Sequence, residues 1–344
     1  MLRLFFIVSV IFKGLSDGAG VLPDGPLIAS VGGAITFTTN LTSTETPFEL
    51  VTWQLISGST PKFIISSHTT VNTTGPEYEG RITLFRSTGS LELRNLKLSD
   101  SGEYIVTIQD GMDNPTGRTT LDVYEPVSNV RVSTLNTDLI EFNSSINLSC
   151  SSSGRSLSFI WMKNNSEVTT NDRVQITTNG ENSNLTIVNV TRNDQGSYSC
   201  NVSNPVSSVI SAPVNISVYY GPEKTNLRSP SQKYPEGSNI HLSCSADSRP
   251  NASFNWFFNG NDLPHSESQR KLLNVQKNQS GNYSCQAFNS RTSKYEISQI
   301  SVIYIEDIST EGSIHPGAIA GIVIGCVVCI SLIVLGVYFI LKKK

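Results

Sequence analysis

An all-β chain of three two-sheet sandwiches in series, followed by one membrane-spanning helix, is the fold class this sequence predicts. Three observations predict it. The phrase Gly-x-Tyr-x-Cys occurs as Gly196, Tyr198, Cys200 and as Gly281, Tyr283, Cys285, with an altered copy at Gly102, Tyr104, Val106. Each copy follows a lone tryptophan (Trp53, Trp161, Trp256), and the last two also follow a partner cysteine, Cys150 or Cys244. Between these marks, apolar and polar residues alternate, as at Ile35, Phe37 and Thr39, the period of a strand with one buried face.

Cys…Trp…Tyr-x-Cys is the core signature of an immunoglobulin-type sandwich, in which the tyrosine two residues before the second cysteine forms the tyrosine corner. Residues 1–20 read as a secretory signal: Arg3 supplies a positive start, residues 4–12 an apolar stretch too short to span a bilayer, and residues 14–20 small side chains suited to cleavage. Residues 21–124 form the first unit. Thr39 and Val106 stand where the cysteine pair would be, so this unit holds its sheets together by packing. The interval from Trp53 to Val106 is the longest of the three and leaves room for the C′ and C″ strands of a variable-type domain. Arg81 and Asp100 stand where such domains place a salt bridge beneath the sandwich.

Residues 125–219 form a second unit of I or C2 type, with strand B at Ile146, Leu148 and Cys150, and with Arg173 and Asp194 repeating the ion pair. Residues 220–305 form a short C2-type unit. Its interval from Trp256 to Cys285 is too short for extra strands, and Gln279 replaces the aspartate. Tyr219, Tyr220, Gly221 and Pro222 make a brief, stiff joint between these two units. Residues 306–316 are a polar stalk. Residues 317–341 are the expected membrane helix, uncharged from 318 to 341, and the lysines at 342–344 mark a cytoplasmic tail. A lipid-anchor signal would end on its hydrophobic tail, and the lysines argue against one. The expectation is a single-pass type I protein of the cell membrane with its N-terminus outside.

That compartment gives the cysteines and asparagines their meaning. Four extracellular cysteines allow three pairings, and the repeat selects Cys150–Cys200 and Cys244–Cys285. Cys326 and Cys329 fall within the apolar stretch and read as small helix residues. Sequons for N-glycosylation begin at Asn40, Asn72, Asn143, Asn147, Asn164, Asn184, Asn189, Asn201, Asn215, Asn251, Asn278 and Asn282, which marks solvent-facing positions on a secreted chain. Gly317, Gly321 and Gly325 share one helical face and suggest a cis homodimer through close helix contact.

Four segments carry a family resemblance. They are residues 75–81 (Gly-Pro-Glu-Tyr-Glu-Gly-Arg), the missing cysteine pair of the first unit, the Tyr-Gly-Pro joint at 220–222, and the Gly-Ala-Ile-Ala-Gly run opening at 317. On these the chain resembles the carcinoembryonic-antigen-related cell adhesion molecules and, more distantly, the hepatic and glial cell adhesion molecule. The resemblance implies a membrane-distal recognition domain on two spacers, adhering to itself or to related cell-surface proteins through the outer C–C′–F–G face. Because Trp53, Tyr104 and Val106 point inward, alternation places Thr52, Gln54, Ile105, Thr107 and Gln109 on that face. Phe63 and Ile65 are expected from C′ and Arg118 from G. Glu49 and Gln54 depart from the aromatics that relatives carry there, and none of Thr52, Gln54, Thr107 or Gln109 begins a sequon.

Composition and motifs exclude other classes. A net charge of −3 leaves no basic footprint for nucleic acid. His68, His241, His265 and His315 are scattered over separate segments, and there is no nucleophile elbow, phosphate loop or His-Glu-x-x-His. Asp110, Asp113 and Asn114 crowd the expected F–G turn beside Gly111 and read as turn chemistry rather than a metal site. Neither an enzyme nor a cofactor is expected. A tail of three lysines and a span without charge argue against direct signalling. The second reading is therefore a ligand or co-receptor for an immune-regulatory receptor, or a microbial decoy.

Overall fold

The computed structural model describes residues 20–307 apart from 44, 112, 113, 265 and 266, together with the helical residues 330 and 333. The expected signal up to residue 19, Asp113, His265, the stalk beyond 307 and the glycines Gly317, Gly321 and Gly325 lie outside the described residues. Among the described residues no helix is long and apolar enough to cross a membrane. The chain divides into two compact units, one ending at Val218 and the other beginning at Tyr219.

The first unit holds two sandwiches. In the first, β1 (Pro26–Ser30), β2 (Ala34–Phe37), β3 (Leu50–Ile56), β4 (Pro61–His68), β5 (Asn72–Thr74), β6 (Ile82–Phe85), β7 (Ser90–Arg94), β8 (Gly102–Gln109) and β9 (Thr116–Tyr124) make two sheets. One runs in the order β1-β9-β8-β3-β4-β5, the other β2-β7-β6. The strands β3, β4, β5, β8 and β9 are therefore C, C′, C″, F and G, the variable-type complement. Strand β1 pairs with β9 in parallel, Pro26 opposite Thr120, and the other neighbours are antiparallel.

The core shows what replaces the disulfide. Phe37 stacks on Tyr104 at 4.2 Å between ring centroids and lies 5.4 Å from Trp53. Val106, directly opposite Trp53, is fully buried. The Thr39 amide donates to Ser90 Oγ at 3.2 Å, and its hydroxyl donates to the Thr88 carbonyl. Aromatic packing and hydroxyl bonds thus occupy the positions of the missing cystine.

In the second sandwich, β10 (Ser128–Ser133), β11 (Asp138–Ile140), β12 (Ile146–Ser153), β13 (Ser158–Lys163), β14 (Ser166–Glu167), β15 (Val174–Asn179), β16 (Asn182–Ile187), β17 (Gly196–Asn204), β18 (Ser207–Ile210) and the start of β19 (Val214–Arg228) form the sheets β10-β12-β16-β15 and β14-β13-β17-β19. Cys150 and Cys200 are bonded, with Cα atoms 6.3 Å apart, and join the two sheets.

The unit beginning at Tyr219 takes the rest of β19 and adds β20 (Lys233–Pro235), β21 (Ile240–Arg249), β22 (Ser253–Phe258), β23 (Asn261–Leu263), β24 (Gln269–Leu272), β25 (Gly281–Asn289), β26 (Lys294–Ile297) and β27 (Ser301–Glu306). Its sheets are β19-β21-β24 and β20-β27-β25-β22-β23, tied by Cys244–Cys285. The expectation of no extra strand is corrected here. The three residues of β23 pair with β22, Trp256 opposite Leu263, and make a C′ strand, while the E strand β24 is the sheet edge among the described residues. A tight Asn-Gly turn at 259–260, with both residues at positive φ, lets the chain return without additional length.

The repeated Gly-x-Tyr has a steric reason. At Gly102 the backbone sits at φ +153°, and an added Cβ would lie 2.6 Å from the Ile56 carbonyl oxygen. At Gly281 the blocking atom is instead a side-chain one, Asn259 Oδ1 at 2.6 Å, which is held in place by the Asn282 amide. Gly102→Ala is therefore expected to destabilise the first domain by about 2–3 kcal/mol, since backbone rather than a flexible side chain blocks the methyl. A denaturant midpoint unchanged in the variant would contradict this.

Candidate functional site: the outer face of the first domain

The outer face is built in rows by strand register. Gln54 stands between Phe63 on β4 and Ile105 on β8, and Ile105 faces Arg118 on β9. Thr52 stands between Ser66 and Thr107, and Thr107 faces Thr116. Leu50 lies between His68 and Gln109, and Ile56 lies opposite Glu103. Seven of the expected residues, Thr52, Gln54, Phe63, Ile105, Thr107, Gln109 and Arg118, therefore share one surface. Beneath them Trp53, Val106 and Leu121 are fully buried and hold the sheet rigid.

Ile65 does not belong to this face. The register shifts between Trp53 and Gln54, so that Ile64 is a bulge residue and both Ile64 and Ile65 turn into the core. Ile65 is 6% exposed, whereas Phe63 is 39% exposed. The extra residue of a bulge breaks simple alternation. Alternation along β3 also brings Leu50 and Ile56 to the face, and register adds Ser66 and Thr116. The first two share the parity of Thr52 and Gln54, a signal already present in the sequence.

The chemistry of the surface is mixed. A row of hydroxyls, Ser66, Thr52, Thr107 and Thr116, runs beside a row in which Gln54 stands between two apolar side chains, Phe63 and Ile105. The Thr52 and Ser66 hydroxyl oxygens lie 3.5 Å apart. One end carries an exposed ion pair, Arg118 Nη1 to Glu103 Oε1 at 3.6 Å. A mixed apolar and polar surface of this kind is within the composition of non-obligate protein interfaces. No group of His, Cys, Asp and Glu among the described residues could hold a metal ion.

Sequons leave this face open. Ser67 donates to the Asn72 side-chain oxygen, and Ser67 points to the side opposite Ser66. A glycan on Asn72 therefore projects away from the rows above. Asn40 is exposed and donates through Nδ2 to the Gly20 carbonyl. In the other domains Asn143, Asn147, Asn164, Asn189, Asn215, Asn251, Asn278 and Asn282 are exposed, while Asn184 and Asn201 are half-buried.

The ion pairs expected below the sandwiches are present and differ in depth. Arg81 and Asp100 are both buried and bonded to each other; Arg81 also donates to the carbonyls of Arg94, Asn95 and Glu77 at 3.0–3.2 Å. Asp100 accepts the Lys97 amide at 2.8 Å, and its carbonyl accepts the Tyr104 hydroxyl at 2.7 Å. Burial raises the Tyr104 hydroxyl pKa, and the charge of Asp100 adds to the effect. Burial likewise pushes Tyr78 up to about 12. In the second domain Arg173 Nη1 lies 2.9 Å from Asp194, and the Tyr198 hydroxyl donates to the Asp194 carbonyl at 2.7 Å. In the third, Gln279 Oε1 accepts the Gln276 amide at 2.8 Å, so the neutral amide preserves the same turn. Sequence reasoning missed Glu141, buried against Arg192 with bonds of 2.6 to 3.1 Å; these residues are far apart in sequence and carry no repeat signal.

Asp194 carries a pH prediction. Burial works against its ionisation, but the Arg173 guanidinium and the Thr191 amide and hydroxyl outweigh burial and hold its carboxyl below the usual range. Its contribution is present above the unfolded carboxyl value of about 3.9 and is lost as pH falls through the lower folded value. Asp194→Asn is expected to flatten the acid limb of the second domain's stability curve. An unchanged acid limb would remove this assignment.

Comparison with known proteins follows the three sandwiches. Residues 23–124 match the immunoglobulin V-set domain, residues 132–218 the immunoglobulin I-set domain, and residues 224–299 an immunoglobulin domain family. The hepatic and glial cell adhesion molecule of Mus musculus is 34% identical over 195 residues, which cover 55% of this chain and 46% of that protein. The chain thus aligns with less than half the length of that relative. The three-domain ectodomain of mouse nectin-like molecule 4 shares the fold at a TM-score of 0.56 and 19% identity, covering 83% of this chain and 98% of that one. Murine CEACAM1b aligns with 24% identity and a TM-score of 0.48 over 56% of this chain and 95% of its own. With three such domain matches along most of its length, the chain belongs to the immunoglobulin superfamily.

Proposed function

We propose that the chain is a cell-surface adhesion and recognition glycoprotein that binds an immunoglobulin-superfamily partner, either a second copy of itself or a relative, through the outer face of β3, β4, β8 and β9. The observation that carries this reading is the continuous row of Phe63, Gln54, Ile105 and Arg118 beside the row of hydroxyls, on a surface toward which neither Asn40 nor Asn72 directs a glycan. The adhesive character of the hepatic and glial relative supports it. The apolar stretch at 317–341 holds the chain in the membrane, and Gly317, Gly321 and Gly325 bring two copies together in cis. Pairing matters because linking weak contacts raises avidity by about 10² to 10⁴.

The test is clustering of cells that display the full chain. Gln54→Ala with Thr107→Ala is expected to weaken clustering several-fold without altering the first domain's melting, since both side chains lie outside the core. Clustering that survives deletion of residues 21–124 would refute the assignment. Clustering only with cells that lack this chain would favour the second reading, a ligand for another cell's receptor.

A further inference from the structure

The residue that follows the F-strand signature points out of the sheet in every domain: Thr107, Asn201 and Gln286. Its cross-strand neighbours differ. In the first domain they are Thr52 and Thr116, and in the third Asn255 and Ile297. In the second domain Asn201 on β17 stands between Ile160 on β13 and Ile210 on β18. Ile160 is 36% exposed and Ile210 62% exposed, so two aliphatic side chains flank one polar residue on an otherwise serine-rich strand.

That polar residue opens the sequon Asn201-Val202-Ser203. Its Oδ1 accepts the Ser208 hydroxyl at 2.9 Å, which fixes the amide plane. Its Nδ2 donates to no acceptor among the described residues, in contrast to Asn40, whose Nδ2 is held by the Gly20 carbonyl. Directly opposed side chains have Cβ atoms about 4.5–5.5 Å apart. A pyranose ring attached at Asn201 therefore lies within reach of both isoleucines, and its C–H face offers them an apolar cover.

We propose that Asn201 carries an N-linked glycan whose first N-acetylglucosamine lies on Ile160 and Ile210, closing the outer F-strand face of the second domain to protein partners. In the attachment step the Asn201 amide nitrogen displaces a polyprenyl diphosphate from the anomeric carbon of a lipid-linked oligosaccharide. The C–N bond forms as the anomeric C–O bond breaks, the diphosphate leaves with the electron pair, and the amide proton goes to base. The glycan is then a fixed lid for this domain rather than a solubilising tail. It also explains why an aliphatic pair stands exposed on a face that contributes nothing to the sandwich core.

The test uses the full chain on the surface of glycosylating cells. Peptide mass spectrometry is expected to show the mass of an oligosaccharide on Asn201. Carbene footprinting is expected to label Ile160 and Ile210 weakly, and several-fold more strongly in Asn201→Gln and in Ser203→Ala, with Ile297 of the third domain unchanged as the internal reference. Enzymatic trimming of the folded protein avoids any effect of substitution on folding. Trimming back to the first sugar should leave both isoleucines protected, and complete removal of the glycan should expose them. An Asn201 without glycan overturns the proposal. So does labelling of Ile160 and Ile210 that is the same with and without the first sugar.

Discussion

Arg81→Ala is expected to cost the first domain about 3–5 kcal/mol, the range for removing one partner of a buried ion pair. The loss is large because of what remains. Asp100 is 3% exposed and keeps only the Lys97 amide as a bonding partner, so a carboxylate is left in a site closed to water. The same substitution frees the carbonyls of Glu77, Arg94 and Asn95 from their shared donor. This domain also has no disulfide to limit the entropy of its unfolded chain. A domain of this size loses about 4–8 °C in melting temperature per kcal/mol, so its transition should separate from those of the disulfide-bonded domains and move down by more than 10 °C. Arg81→Lys should recover only part of the loss, since an ammonium cannot supply the guanidinium fork to three carbonyls and a carboxylate. Arg173→Ala in the second domain should cost far less, because its side chain is 35% exposed and Cys150–Cys200 spans the sheets. Calorimetry of the full chain with each substitution decides the matter. If Arg81→Ala and Arg173→Ala shift their domains equally, the burial argument fails.

How much of this was readable from residues alone depended on whether the cause was local. Gly-x-Tyr-x-Cys announces the sandwich because each residue meets a separate geometric need. The glycine leaves room for the chain at the end of strand C (the Asn164 and Asn259 side chains, or the Ile56 carbonyl in the first domain), the tyrosine bonds back to the 3₁₀ turn, and the cysteine crosses to strand B. The missing cysteines at Thr39 and Val106 were equally legible, but their replacement by the Phe37–Tyr104 stack was not, because Phe37 reads only as one alternating apolar residue. Alternation outward from Trp53 places Thr52 and Gln54 correctly. It fails at Ile65 because the bulge at Ile64 arises from pairing β4 against β3, not from the composition of β4. The C′ strand of the third domain was missed for the same reason: three residues, Asn261 to Leu263, become a strand only by docking on β22. The pair Glu141–Arg192 leaves no local trace at all. Residues that answer to their neighbours in sequence can be read; residues that answer to a partner across the sheet need the register first.

A glycan placed on the outer face of the first domain should abolish adhesion while leaving the domain folded. Thr107→Asn with Gln109→Thr writes a sequon around Ile108, and both positions are exposed on β8. Strand β8 tolerates the change because threonine suits a strand and because Ile108, which carries the packing, is untouched and fully buried. The attached sugar would stand on the row of Thr52, Thr107 and Thr116, next to the row holding Phe63, Gln54 and Ile105, in the middle of the proposed contact. Because avidity multiplies single contacts, loss of that contact should lower cell–cell association by about 10²-fold or more. The control is the opposite sheet. Thr36→Asn alone completes a sequon with Thr38, and Thr36 is exposed on β2. That glycan has the same bulk and charge, lies on the same domain, and should leave clustering intact. Three outcomes separate the readings. Clustering lost with the β8 glycan and kept with the β2 glycan supports the face; the reverse pattern moves the contact to the sheet of β2, β6 and β7. Clustering kept in both removes the first domain's sheets from adhesion, and the proposed function falls with them.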